Sequence, residues 1–388
     1  MFIHRRGFMA GVAGLMIPPA RGEASVRIFL CGDVMTGRGV DQILPHPAPP
    51  RLREGWATSA LDYVRLAEHA NGLIRRPVGF DYIWGEAIEA WRRARPDVRL
   101  VNLETSVTAS EDFADKGINY RMGPGNVGCL LAARPDACAL ANNHVMDFGR
   151  SGLTETLASL KGGGLKPVGA GTDLLAARAP AVIEAPGRAK VAVIAMGAPS
   201  SGIPRDWAAA PARPGVNLTD LSTLDAAAAK QSFETGQADG ALRIVSIHWG
   251  PNWGYEITPQ QRRFAHALID EAGASIVWGH SSHHPKAIEI YRGRLILYGC
   301  GDFIDDYEGI EGHEAYRSDL AVMYFADLDA RSGVLVRLSM TPLRIRRMRL
   351  QAANADDVAW LTARLDRECR AYGAAVKATP EGLLLSRA

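Results

Sequence analysis

The sequence predicts a layered α/β fold held in one domain. Two observations predict it. Short apolar runs, often β-branched, alternate with stretches of helical periodicity along most of the chain; runs of that kind are expected of strands covered on both faces. No internal repeat, long low-complexity tract or linker interrupts the pattern, so one layered unit accounts for it.

A first strand is expected at 26–31. The Pro-rich segment 45–50 reads as a loop draped over the sheet, and 82–94 as a helix leading to a strand at 98–103. A strand at 137–140 and a helix at 151–162 follow, then a strand at 191–196 and a second Pro/Gly-rich loop at 199–218. Strands at 242–247 and 275–278 enclose a helix at 259–271, and strands at 287–291 and 295–298 come next. Two later strands, 321–328 and 334–343, flank Asp329-Ala330-Arg331-Ser332-Gly333, whose composition predicts a hairpin turn. The last helix is expected at 356–372, where Asp356 and Asp357 oppose the helix dipole from its first turn. Residues 25–350 then form the main domain and 351–388 a C-terminal helix and tail.

The 388 residues are 47% hydrophobic and 22% charged, a balance that fills a large core without disulfides or structural metal. A net charge of +2 sets up no strong field toward nucleic acid or anionic lipid, so no nucleic-acid partner is expected. Arg344, Arg346, Arg347 and Arg349 read as a solvated strand edge. Cys31, Cys129, Cys138, Cys300 and Cys369 form no CxxC or CxxxC pair, and four of them lie in or beside apolar segments, where a thiol behaves as a small hydrophobe. Spacing leaves a Cys31–Cys300 bridge open.

Residues 1–24 read as an export signal. Arg5-Arg6 precede a mildly apolar, Gly/Ala-rich run at 8–17, and Gly22-Glu23-Ala24 offers small residues for cleavage. Paired arginines ahead of such a run follow the twin-arginine pattern, and the run is too short to anchor in a hydrocarbon core of ~30 Å. The expected location is the periplasm.

The strand endings carry the chemistry. Cys31-Gly32-Asp33 closes the first strand, Asn102-Leu103-Glu104 the second, and Asn142-Asn143-His144 follows the third. Ile247-His248-Trp249-Gly250 closes a later strand, and Gly279-His280-Ser281-Ser282-His283-His284 follows the next. Carboxyl ends of strands in open α/β sheets converge on one crevice. Each residue has a plain alternative: Asp33 a turn or cap, Glu104 an exposed loop acid, Asn143 an Asx-turn, His248 a satisfied core histidine. Together they predict a divalent-metal site. Mixed carboxylate, amide and imidazole ligands suit Mn, Fe, Zn, Mg or Ca rather than an all-sulfur or four-histidine structural zinc site.

In these motifs the chain resembles the CapA family of bacterial poly-γ-glutamate capsule synthesis proteins, a branch of the calcineurin-like metallophosphoesterases. The matching stretches include Phe29–Met35, Asn102–Val107, Ala141–Gly149, His248–Gly250, Gly279 to Pro285 and Ile296–Phe303, in family order over roughly 26–305. The resemblance implies a metallophosphoesterase-like β-sandwich flanked by helices. It implies Asp33 as the first-strand carboxylate, Glu104 as bridging acid, and Asn143 and His248 as ligands of a second metal. His280 and His283 would stand for the paired histidines of the last motif, and His144 for the non-ligating histidine that assists the leaving group. Asp302 and His284 are additional candidates, Asp302 being balanced between ligand or acid/base work and a turn role.

Two departures bear on chemistry. Met35 stands where phosphoesterases place a histidine, and the bridging acid is Glu104 rather than Asp. One or two divalent metals are therefore expected. The leading function is an exported hydrolase acting on an anionic polymer, phosphoester or peptide in capsule or envelope metabolism, in association with that machinery. Two alternatives are metal-assisted proton abstraction on a peptide, giving epimerisation or elimination, and a non-catalytic polymer-binding or assembly component.

Overall fold

The computed structural model describes residues 25–388, so the expected export signal at 1–24 lies outside the described residues. Two large sheets form the body. In the eleven-stranded sheet the strands run Asp302–Ile304, Asp33–Val34, Val98–Leu103, Ser25–Leu30, Leu320–Asp329, Leu335–Ile345, Gly382–Arg387, Ala374–Thr379; Ala137–Ala139 and Lys166–Val168 extend it beside Val98–Leu103, and Leu350–Ala352 pairs with Leu335–Ile345. In the six-stranded sheet the order is Ile288–Tyr291, Arg294–Leu297, Ala274–His280, Leu242–His248, Lys190–Gly197, Ala181–Glu184.

The apolar runs explain how these layers stack. Successive side chains of a strand point to opposite faces. Accordingly Val193, Ile244, Ile276 and Trp278 join a core with Ile28, Leu30, Val101 and Tyr324 of the larger sheet. Their neighbours Ile194, Val245, Ile247 and Val277 join a second core. That second core is closed by Ala226 and Phe233 of helix Thr223–Thr235 and by Phe264 and Leu268 of helix Pro259–Asp270. The smaller sheet is thus covered on both faces, by the other sheet and by helices. The layered α/β sandwich flanked by helices is the fold observed.

Several elements differ from expectation. The helix expected at 82–94 is a 3-10 turn, Tyr82–Trp84, and a helix, Ala87–Ala94. The break falls at Gly85, which takes a φ of 43° and has no room for a side chain: a Cβ would sit 2.0 Å from the Leu350 carbonyl oxygen. Helices Leu61–Asn71 and Thr223–Thr235 were not expected; the second is alanine-rich, so its buried face carries little hydrophobic contrast. The tail expected after the last helix (Ala355–Arg370) is a hairpin, Ala374–Thr379 and Gly382–Arg387, paired to Leu335–Ile345 through Ser339 and Met340. The turn at 329–333 is present, with Asp329 Oδ1 accepting the backbone N–H groups of Arg331 and Ser332. All five cysteines are buried and free. No helix among the described residues is long and apolar enough to cross a membrane.

Candidate metal centre

Strand register assembles the centre. Asp33 lies beside Asn102 on one side and Asp302 on the other, while His248 is level with His280 across the smaller sheet. The carboxyl edges of the two sheets meet here, and Trp278 Nε1 donates to the Cys31 carbonyl at 2.8 Å between them.

Asp33 is fully buried. Its Oδ1 accepts from Asn102 Nδ2 at 2.7 Å and its Oδ2 from the Ser281 N–H at 3.2 Å. Asn102 is held in turn by Asn142 Nδ2 at 3.3 Å. Burial pushes the Asp33 carboxyl up, but His280, His248 and Asn102 outweigh it and hold the group well below the usual carboxylate range. One ligand atom each from Asp33, Glu104 and His248 lies within 4.8 Å of the others. His248 Nε2 is 3.0 Å from Asn143 Oδ1 and 3.7 Å from Glu104 Oε1. His280 Nδ1 approaches Asp33 Oδ1 to 2.9 Å, yet neither of its ring nitrogens meets the angular requirement of a hydrogen bond.

Buried polar atoms normally have partners. Here Glu104 Oε2, both His280 ring nitrogens and Asp302 Oδ2 have none. Burial and the charges of Asp33 and Asp302 push the Glu104 carboxyl well up. Burial drops His248 to about 3, leaving a neutral imidazole with a free lone pair. Unpartnered oxygens, mutually repelling carboxylates and the neutral His248 imidazole fit a divalent cation.

Not every expected residue faces this point. His283 has both ring nitrogens engaged, Nδ1 with Asp302 Oδ1 at 3.0 Å and Nε2 with Asn252 Nδ2 at 2.9 Å. Burial opposes protonation of His283, but Asp302 prevails and its pKa is raised. His284 stands in an aromatic group, with Tyr255 and Tyr316 ring centroids at 4.4 and 4.7 Å. Asp302 is raised by burial although His283 opposes that rise. Met35 is buried yet belongs to neither apolar core.

His144 Nε2 lies 3.9 Å from Glu104 Oε1. Behind the ring, Asp147 Oδ2 is 2.6 Å from Nδ1, and Lys116 Nζ is 2.8 Å from the other Asp147 oxygen. Tyr120 stacks on the ring at 3.7 Å and shares a 2.6 Å hydrogen bond with the Tyr307 hydroxyl. Burial lowers His144 to about 4 despite Asp147. Asp147, Lys116, Tyr120 and Asn102 join the centre without having been expected from the sequence. Only Asp147 carried a signal, three residues after His144 in one turn.

A model of the bacterial capsule synthesis protein family PGA_cap matches residues 27–307. A probable polyglutamine synthesis accessory protein of Mycobacterium tuberculosis is 51% identical over 364 residues, 92% of this chain and 95% of that protein. The PGA biosynthesis protein CapA of Bacillus subtilis is 26% identical over 316 residues, 81% of this chain and 70% of that protein. A solved structure described as a novel phosphatase from Mycoplasma pneumoniae aligns with TM-score 0.44 and 13% identity, covering 82% of this chain and 94% of that one.

Proposed function

This chain belongs to the bacterial capsule synthesis protein family, and from that membership we propose that it is an exported, metal-dependent hydrolase of envelope polymer metabolism. Its substrate is an anionic polymer, a phosphoester or a peptide, met in association with capsule or envelope machinery. The observation that carries the reading is the convergence of Asp33, Glu104 and His248 within 4.8 Å, with buried ligand-type atoms beside them lacking partners.

Asp33, Glu104, Asn143, His248 and His280 would hold the cation, of the Mn, Fe, Zn, Mg or Ca class. A divalent ion bound there supplies Lewis-acid polarisation and a water of lowered pKa. The remaining work falls to the chain. His144 exchanges a proton at Nε2, the nitrogen turned toward Glu104, while Asp147 fixes the tautomer at Nδ1. Tyr120 holds the ring plane by stacking. The test is elemental analysis of protein purified from the periplasm, joined to a phosphodiester assay. Stoichiometric metal with hydrolysis supports the reading; metal without turnover on any probe favours a binding or assembly role; absence of metal overturns it.

One observation favours a second reading. Burial keeps the His144 ring neutral at neutral pH, so it has no ring proton to give a leaving group at Nε2 and can only accept one there; the second reading is metal-assisted abstraction of a proton alpha to a carbonyl. Solvent deuterium appearing in a recovered glutamyl peptide would establish that chemistry in place of hydrolysis.

A further inference from the structure

Two tyrosines connect the His144 side of the centre to the His283 side. Tyr120 lies flat on the His144 ring at 3.7 Å, and Tyr307 stands edge-on to the His283 ring at 5.2 Å. Those histidines face Glu104 and Asp302 in turn. The two phenol hydroxyls meet at 2.6 Å.

Two hydroxyls carry two protons, and a hydrogen bond between them uses one. Neither hydroxyl has another hydrogen-bond partner among the described residues, so the second proton has no acceptor. Burial decides which oxygen carries it. Tyr120 is 3% exposed, whereas Tyr307 is only partly buried. An unmade hydrogen bond is costlier at the more buried group, so Tyr120 donates to Tyr307 and the spare proton sits on Tyr307. Burial, Tyr120, Asp302 and Glu104 push the Tyr307 hydroxyl well up. Burial, with Glu104, does the same to Tyr120 although Arg38 opposes it. Both groups therefore keep their protons, and both lie in the field of the Glu104 carboxyl.

The support behind the pair is rigid. Arg38 is 2% exposed and left-handed at a φ of 45°, and its guanidinium stands 4.6 Å from the Tyr120 ring centroid and 5.8 Å from that of Tyr307. Asp306 takes its Nε and Nη2, and Glu54 its Nη1. A side-chain-bearing residue held left-handed costs stability, and such positions cluster at functional sites. The Tyr307 N–H is fixed on Asp305 Oδ1 at 2.9 Å.

We propose that the Tyr120–Tyr307 pair is the proton donor to the oxygen that leaves at this centre, Tyr307 giving the proton and Tyr120 holding its hydroxyl in place. The proposal rests on the hydrolytic reading above, taken for a phosphodiester. The bond from phosphorus to the leaving oxygen breaks with its electron pair on that oxygen, which takes the Tyr307 proton. Water forms the new bond to phosphorus and yields a proton to His144. The surplus proton returns from His144 to the phenolate through solvent, and until then the Arg38 guanidinium favours the phenolate charge.

Turnover of methyl phenyl phosphate and methyl p-nitrophenyl phosphate by the protein purified with its metal tests this. Nitrophenolate departs without a proton, whereas phenolate departs more readily with one. Tyr307→Phe should slow the phenyl ester about 100-fold, the worth of one positioned donor, and the nitrophenyl ester little. Tyr120→Phe should move the ratio of the two rates in the same direction by a smaller factor. Elemental analysis and melting temperature should match the native protein in both variants. Equal loss on the two esters, no loss on either, or loss of metal from Tyr307→Phe would overturn the donor role and leave the hydrolytic reading standing. Native protein that hydrolyses neither ester would sink that reading, and the donor role with it.

Discussion

Asp147 Oδ2 lies 2.6 Å from His144 Nδ1 and leaves Nε2 as the ring nitrogen facing Glu104. A carboxylate behind an imidazole sets its tautomer, and loss of such a partner commonly costs 10–100-fold, roughly, in activity or metal affinity. Asp147→Asn should lower turnover by about that factor without loss of bound metal, since Asp147 points away from the centre. Nitrogen NMR of the imidazole should show the tautomer equilibrium shifting. Unchanged tautomer and rate would assign Asp147 to anchoring Lys116 and the Tyr120 backbone alone.

Asp33→Ala, Asn143→Ala and His248→Ala should each reduce metal retained after dialysis while leaving the fold intact. Asp33 and His248 stand at the sheet edge and Asn143 in the turn that follows Ala137–Ala139, all three outside both apolar cores. Elemental analysis with far-ultraviolet circular dichroism checks this. Full metal content in all three variants would refute the assignment.

Met35→His should add a second metal equivalent and raise phosphodiester hydrolysis. A thioether is a poor ligand for hard cations, and an imidazole there restores the missing donor. Met35 is 1% exposed and belongs to neither apolar core. A variant that gains no equivalent and only melts earlier would show a one-metal site, with the ring as an unpaired buried group costing about 1–3 kcal/mol.

Asp41 sets a pH dependence of stability away from the centre. Burial raises its carboxyl from 3.8 to about 6, although Asn126, Gly123 and Ala48 donate to it. Its folded-state pKa exceeds the unfolded one, so the folded protein binds the extra proton between those values. The stabilisation is complete below pH ~4 and lost as pH rises through ~6. Relative to Asp41→Asn, the native protein should lose about 2–3 kcal/mol between pH 4 and pH 7 in urea unfolding. A flat difference across that window would contradict the raised pKa.

Replacement of Arg5 and Arg6 together by Lys should leave the precursor in the cytoplasm, if the pair at the start of the chain directs twin-arginine export. Fractionation and immunoblotting decide it. Normal periplasmic yield of the mature form would exclude that route.

Much of this protein was determined by local sequence. Strand positions follow from short apolar runs, and Asp33, Glu104, Asn143 and His248 mark themselves by standing at or just beyond strand ends, where α/β sheets bind ligands. The 329–333 turn is equally local, since one Asp side chain caps it. Tertiary structure decided the rest. The three imidazoles of the 280–284 segment look alike in sequence, but one faces Asp33, one is tied between Asp302 and Asn252, and one joins an aromatic group. Their aim depends on partners from the nearby Asp302 to Asp33 at the other end of the domain, which no spacing rule records. The C-terminal hairpin escaped notice because its strands gain their ladder only beside Leu335–Ile345. Periodicity and turn chemistry are properties of adjacent residues; the direction of a buried polar side chain is a property of the whole packed chain.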